Sequence, residues 1–382
     1  LASLAGVPSM STAEQNASRS SPVVNVHGFR AKGARRSRSS GRRGLLVSPV
    51  KWTFLGLALF AVPWCLSQER QPGEVGQPAG SNLHNLLWYE KPAAKWVEAL
   101  PVGNGRLGAM LFGGVAQERL QLNEGTLWAG GPYDPVNPEA KEALPQVRRL
   151  INEGKYREAA GLISAKVMAK PLGQMPYQTV GDLLLTFPGT TNIQNYRRDL
   201  SLDTATATVS YTSDGVRYTR EMFANAPDNV IVMRLTADKP GKLSFVAGMK
   251  TPMAASVETD GNDTLVMRGA GGSAGGTKGQ LKYQARVKLM AQGGKTTAES
   301  GSVSVRDADE VTLLIAAATS YQRFDAVSGD PESIVKEQLA AGARKSFAQL
   351  RTAHLTDYQA LFRRVTIDLG TSEAMTLPTD ER

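Results

Sequence analysis

Between Ser201 and Ser320 apolar and polar residues alternate with a period of two, as on strands with one buried face and one wet face. Leu281, Tyr283, Ala285, Val287 and Leu289 interleave with Lys282, Gln284, Arg286 and Lys288, and Leu243, Phe245, Ala247 and Met249 repeat the pattern. The stretches Thr204–Tyr211 and Val216–Phe223 flank Ser213-Asp214-Gly215, and Asp-Gly between alternating runs is a strong hairpin signal. Further turns are expected at Lys239-Pro240-Gly241, Asp260-Gly261 and Gly293-Gly294. Val311–Ala318 is a continuous run, apolar but for Thr312, which predicts a strand covered on both faces. Turn signals at this spacing predict a mainly β fold built as a large antiparallel β-sandwich.

Helical spacing interrupts this pattern early. Ala140, Leu144, Val147 and Ile151 predict a helix over 138–154 that closes on Gly154. Tyr156, Ala159, Leu162 and Ile163 predict a second over 155–170, stopped by Pro171. After the strands, Asp330 is placed to cap a helix whose first residue is Pro331. Ile334, Val335, Leu339, Phe347 and Leu350, then Leu355, Tyr358, Leu361, Phe362 and Val365, continue at periods of three and four. They predict a C-terminal helical linker with apolar surface left exposed near Leu355–Val365.

Composition narrows the possible chemistry. One Cys among 382 residues rules out a disulfide framework and a Cys-based zinc site. The three His are scattered, so no metal site is expected, and His84 and His354 read as surface or packing residues. The net charge of +9 misleads until it is divided. Residues 1–51 carry nine Lys and Arg against the single acid Glu14, whereas the remaining 331 positions hold 35 basic and 34 acidic residues. A nucleic-acid binder would carry its excess on the folded body, so no nucleic-acid partner is expected.

The basic stretch, rich in Ser, Gly and Arg, reads as disordered. It is followed by the apolar run from Trp52 to Leu66, which Pro63 interrupts. That run is shorter than the roughly 20 residues needed to cross a bilayer. A basic flank, a short apolar stretch and small residues near Ser67 predict a secretory signal cut at about that point. The expectation is a secreted or periplasmic protein with no stable membrane span, an uncleaved anchor being the alternative. The domain reading is therefore leader plus signal over 1–67, linker over 68–83, sandwich over 84–328 and helical linker over 329–382.

Two glycine strings are discounted. Gly271-Gly272-Ser273-Ala274-Gly275 matches the nucleophile-elbow pattern, and Gly269–Ala274 matches a loose dinucleotide pattern. Each requires a helix directly afterwards, and an alternating strand follows instead. The richer segment runs from Trp88 to Pro138. Asn123 and Glu124 fall at a strand end, and the loop 125–137 offers Trp128, Tyr133 and Asp134 among Gly and Pro. Aromatic faces beside a carboxylate and an amide can contact sugar C–H surfaces and hydroxyls. Asn123, Glu124, Trp128, Tyr133 and Asp134 are therefore the candidate substrate-binding residues. The competing reading has Trp128 and Tyr133 plugging the loop onto the sandwich.

EALPVGNGRLGAMLFGG (98–114), ERLQLNEGTLWAGGPYDPVNPEA (118–140) and the stretch from LPQVRRLINEGKYREA (144–159) to QTVGDLLLTF (178–187) occur in order. They are joined by HLTDYQALFRRVTIDLG (354–370) and LPTDER (377–382). Over Leu86–Arg382 the chain resembles the N-terminal domain of glycoside hydrolase family 95. The resemblance implies an exported α-L-fucosidase-type hydrolase, some members acting on α-L-galactosides, that removes terminal sugars from oligosaccharides or plant polysaccharides with inversion. It implies no cofactor. It also implies a β-super-sandwich, a helical linker and a catalytic (α/α)6 barrel beyond the end of this chain, which is the expected partner in cis. The family's general-acid Glu and its water-holding Asn and Asp belong to that barrel, so no position here is assigned as catalytic. The fragment is expected to be inert, the alternative being a non-catalytic carbohydrate-binding or structural β-sandwich module.

Overall fold

The computed structural model describes residues 85–382. The basic stretch, the apolar run 52–66, the linker 68–83 and His84 lie outside the described residues. Strands Leu86–Tyr89 (β1), Leu100–Gly103 (β2), Leu107–Leu111 (β3) and Gln117–Glu124 (β4) precede helices Ala140–Asn152 (α1) and Tyr156–Lys166 (α2). Gly181–Thr186 (β5), Ile193–Ser201 (β6), Thr206–Ser213 (β7), Val216–Asn225 (β8) and Val230–Ala237 (β9) come next. Leu243–Lys250 (β10), Ala255–Asp260 (β11), Thr264–Ala270 (β12) and Lys282–Gln292 (β13) continue the series. Lys295–Glu299 (β14), Ser302–Ala308 (β15) and Glu310–Thr319 (β16) complete it, followed by helices Pro331–Ala343 (α3) and Phe347–Phe362 (α4).

The strands form two antiparallel sheets. One has nine strands in the order β1-β6-β7-β8-β9-β16-β13-β12-β11, and the other has seven in the order β14-β15-β10-β5-β4-β3-β2. The β7–β8 hairpin closes where the sequence places it, with Ser213 opposite Val216 and both Asp214 and Gly215 at positive φ (+49° and +72°). That is the two-residue turn whose twist matches the flanking strands. Leu120, Leu183, Phe245 and Val305 from one sheet share the inter-sheet core with Val209, Met222, Met233 and Leu313 from the other.

Strand β16 is buried on both faces. Val311, Leu313, Ile315 and Ala317 enter the inter-sheet core. Leu314, Ala316 and Ala318 point the opposite way and meet Val335 and Leu339 of α3 and Leu350 of α4. The helices thus lie across the outer face of the nine-stranded sheet. Asp330 caps α3, accepting from the Glu332 amide at 3.0 Å and the Ser333 hydroxyl at 2.6 Å, with Pro331 as its first residue. On α4, His354 stacks on Phe223 at 4.8 Å, Tyr358 on His354 at 6.0 Å and Phe362 on Tyr358 at 5.2 Å. His354 is buried, and its ring nitrogens lie 3.1 Å from Ala224 O and 2.8 Å from Thr204 O, so it is a packing residue. Helix α4 ends at Phe362; Val365, Ile367 and Leu369 follow outside it and are exposed.

The α1 stripe differs from its sequence reading. Ala143 and Val147 are buried while Leu144 and Ile151 are exposed. In α2 the buried residue is Ala159, and Tyr156 faces solvent. The two helices pack chiefly on each other, so small residues sit at the close contact and the larger apolar side chains flank it.

A charged pair spans the sheets. Glu118 of β4 and Arg220 of β8 are both inaccessible to solvent and meet at 2.8 Å. The guanidinium also donates to Gly114 O, Val115 O and the Tyr211 hydroxyl. The Glu118 carboxylate accepts from the Gly113 and Arg119 amides. Burial pushes the Glu118 carboxyl above its ordinary value, and the Arg220 charge opposes that shift.

Replacing Arg220 by Met leaves Glu118 buried without its counter-charge, and equilibrium denaturation is expected to show a loss of about 3–5 kcal/mol. A second prediction concerns α3. A hydrogen bond from Lys336, with the Arg268 charge beside it, lowers the Glu332 carboxyl from its ordinary 4.5 to about 2. A depressed carboxyl stabilises the fold at pH above the unfolded value and loses that contribution as pH falls towards the folded one. The protection factors of the α3 amides, taken relative to the intrinsic exchange rate at each pH, should therefore fall as pH drops from 4.5 towards 2. Glu332→Gln should flatten that dependence; an equally steep profile in the variant would show that Glu332 is not the group responsible.

Candidate functional site

The pleat of β4 divides the first two candidates. Glu124 points inward and is inaccessible, whereas Asn123, one residue earlier, faces the opposite side of the sheet. The Glu124 carboxylate pairs with the Arg106 guanidinium and accepts from the Thr126 amide at 2.8 Å and the Thr126 hydroxyl at 2.7 Å. Thr126 Oγ1 in turn lies 2.5 Å from Thr319 Oγ1 at the end of β16. Glu124 therefore holds the start of the following loop to β3 on one side and, through Thr126, to the opposite sheet.

That loop is stitched down along its length. Ala129 N donates to Pro176 O, Gln178 N to Leu127 O, Gly130 N to Gly272 O and Gln280 N to Gly130 O. Gly130 combines a φ of +77° with Met175 only 3.1 Å from where a Cβ would sit, so a side chain is excluded there. Trp128 lies edge-on to Tyr177, with ring centres 5.2 Å apart at 71°. The polar handles of both rings are used internally: Trp128 Nε1 donates to Gly125 O and the Tyr177 hydroxyl to Glu124 O. Burial, with the Glu124 charge adding to it, pushes the Tyr177 phenol above its ordinary value, which keeps it a donor.

A cavity of about 390 Å³ opens beside this loop. Trp128 and Tyr133 form one wall, Gln174 and Met175 another, and Leu281 also lines it. The segment after β16 also lines it, with Tyr321, Phe324 and Val327. That segment is a closed loop: Ala326 O accepts from the Gln322 and Arg323 amides, Ala326 N donates to Arg323 O, and Gly329 N donates to Ser320 O. Phe324 sits at its tip and is 83% exposed.

The structure thus brings together Trp128 and Tyr133 but not the three polar candidates. Asp134 is exposed and turned into its own loop, accepting from the Val136 amide at 2.9 Å. Glu124 lies behind the wall, and Asn123 does not line the cavity. Tyr321 and Phe324 are the residues the sequence reading missed; two aromatics between an apolar run and the Asp330-Pro331 cap were the available signal. The glycine string at 271–275 is a loop, as expected. Ser273 Oγ accepts from Gly279 N at 3.0 Å, and the chain passes through an Ala274–Thr277 bridge into β13 with no helix between. None of the residues lining the cavity is acidic, basic or histidine. Such a lining can bind and orient a ligand, and the titratable side chains it holds are the phenols of Tyr133 and Tyr321. Among the described residues no group of three or more His, Cys, Asp or Glu is placed to hold a metal ion, and no helix is long and apolar enough to cross a membrane.

Residues 87–323 match the family described as "Glycosyl hydrolase family 65, N-terminal domain". The chain is 34% identical over 333 residues to "Alpha-L-fucosidase 2" of Arabidopsis thaliana, covering 80% of this chain and 39% of that protein. It is 30% identical to "Probable alpha-fucosidase A" of Aspergillus niger, covering 74% and 38%, and 25% identical to the protein of the same name from Aspergillus oryzae, covering 76% and 42%. The chain spans about two fifths of the length of these curated relatives.

Glu124→Ala should cost about 1–3 kcal/mol, because buried donors lose their acceptor. It should also speed amide exchange over Gly125–Tyr133 more than elsewhere. Exchange of that loop at the wild-type rate would show that Glu124 does not hold it.

Proposed function

Because this chain belongs to the family described as glycosyl hydrolase family 65, N-terminal domain, and is α-L-fucosidase-like in that region, we propose that it serves a glycoside hydrolase acting on terminal α-L-fucosyl or α-L-galactosyl residues of oligo- or polysaccharides. The observation that carries this reading is the 34% identity to an α-L-fucosidase across 80% of the chain. In this reading the enzyme is exported and works with inversion, and the sandwich of this chain is its N-terminal part. The acid and the water-activating groups reside outside this chain, on a catalytic barrel joined to it in cis. The uncharged lining of the cavity supports that division of labour. An inverting site needs two carboxyl groups roughly 6.5–9.5 Å apart across the scissile bond.

The second reading is a carbohydrate-binding module without catalysis. It is favoured by the aromatic cavity, which belongs to the sandwich itself. The two separate in one assay. The purified 382-residue chain is expected to leave 4-nitrophenyl α-L-fucoside and 2′-fucosyllactose uncleaved, while a protein of the relatives' length that includes this chain releases fucose. Hydrolysis by the chain alone would refute the placement of the catalytic groups, and an inert full-length protein would favour the binding module.

A further inference from the structure

Phe324 is the most exposed aromatic side chain among the described residues. Burial of an aromatic side chain is favourable, yet this ring stands 83% exposed. It is held there by a loop whose backbone is closed at both the tip and the base. The Arg323–Asp325 ion pair at 2.7 Å flanks it. A fixed turn presenting an apolar ring at the mouth of a cavity has the form of a contact platform, since little conformational entropy remains to be lost on binding.

The lining specifies what the platform meets. With no ionic side chain present, phosphates and carboxylates find no counter-charge in the cavity. Among the described residues the hydroxyls of Tyr133 and Tyr321 and the side-chain amide of Gln174 have no hydrogen-bond partner, so three neutral polar groups stand beside the apolar rings of Phe324, Tyr321 and Trp128. A purely hydrocarbon ligand would use the apolar rings and leave the three polar groups to solvent. A ligand with an apolar C–H face and several neutral hydroxyls satisfies both halves of the lining. The volume of about 390 Å³ lies within the range of small-molecule sites.

We propose that this cavity is a neutral-saccharide site borne by the sandwich, in which Phe324 and Tyr321 stack on a sugar face while Tyr133 and Gln174 bond its hydroxyls. The site binds without catalysing. The proposal deepens the function proposed above and rests on it only for the choice of a fucosylated probe.

The test titrates the 382-residue chain with 2′-fucosyllactose and separately with lactose, following saturation-transfer NMR and tryptophan fluorescence. Saturable binding is expected, weakened about five- to tenfold by Phe324→Ala, as befits loss of one aromatic stacking partner. Gln174→Ala should weaken it as well. Phe324 is exposed, so its variant should keep the wild-type melting temperature. Equal affinity for the two probes upholds the saccharide site while removing support for a fucosyl substrate; a preference for 2′-fucosyllactose upholds both. Binding of neither sugar overturns the site and leaves the hydrolase reading to the assay above. Binding that is indifferent to Phe324→Ala also overturns it. So does uptake of the dye anilinonaphthalene sulfonate at the cavity that neither sugar displaces.

Discussion

The burial of β16 on both faces is the constraint on which the rest of the structure depends. A strand with one wet face contributes to one core; this one contributes to two. Its odd-numbered residues from Val311 to Ala317 close the space between the sheets, and its even-numbered residues from Leu314 to Ala318 form the floor under α3 and α4. A one-residue slip would exchange the two sets. The small residues Ala316 and Ala318 would then face the inter-sheet gap, and Ile315 would be driven under the helices. The same strand ends at the cavity, where Thr319 meets Thr126 and the chain continues into Tyr321. Core packing and the geometry of the candidate site are therefore set by one register.

The buried charges act as pins. Glu118 with Arg220, and Glu124 with Arg106 and Thr126, each remove a carboxylate from water and compensate it with several donors. Such pairs contribute little net stability over an apolar core, but breaking one is costly. Glu118 fixes the sheets' relative position, and Glu124 fixes the root of the aromatic loop. This accounts for Glu124 sitting at the root of the aromatic loop without lining the cavity. Its oxygens are committed to holding backbone and side chains in place, which leaves the cavity wall to neutral groups.

Much of the fold was legible because it is written locally. The largely apolar run 311–318, the Asp214-Gly215 turn and the Asp330-Pro331 cap each carry their own chemistry in a few adjacent residues. Strand order was not legible: β5 lies between β4 and β10, and β16 between β9 and β13, and such pairings are set by contacts distant in sequence. The site was half legible. Trp128 and Tyr133 stood out as aromatics in a glycine-rich loop, and they do share a cavity wall. Glu124 looked equally available, but the period-two pleat turned it inward while Asn123 went outward. Tyr321 and Phe324 come from a segment nearly two hundred residues away, and only the closure of the sandwich brings them to the same mouth.

The stacked rings on α4 have a mechanical consequence. Phe223, His354, Tyr358 and Phe362 form a continuous column from the sheet outward along one side of the helix. A cylinder resting on a sheet can roll about its long axis at small cost when its underside is uniform. Here the column acts as a key in a slot, since a roll breaks the Phe223–His354 stack together with the contacts of His354 to Ala224 O and Thr204 O and of the Tyr358 hydroxyl to Leu202 O. The helix is thereby indexed to a single azimuth, and whatever is joined to its far end inherits a fixed bearing relative to the sandwich.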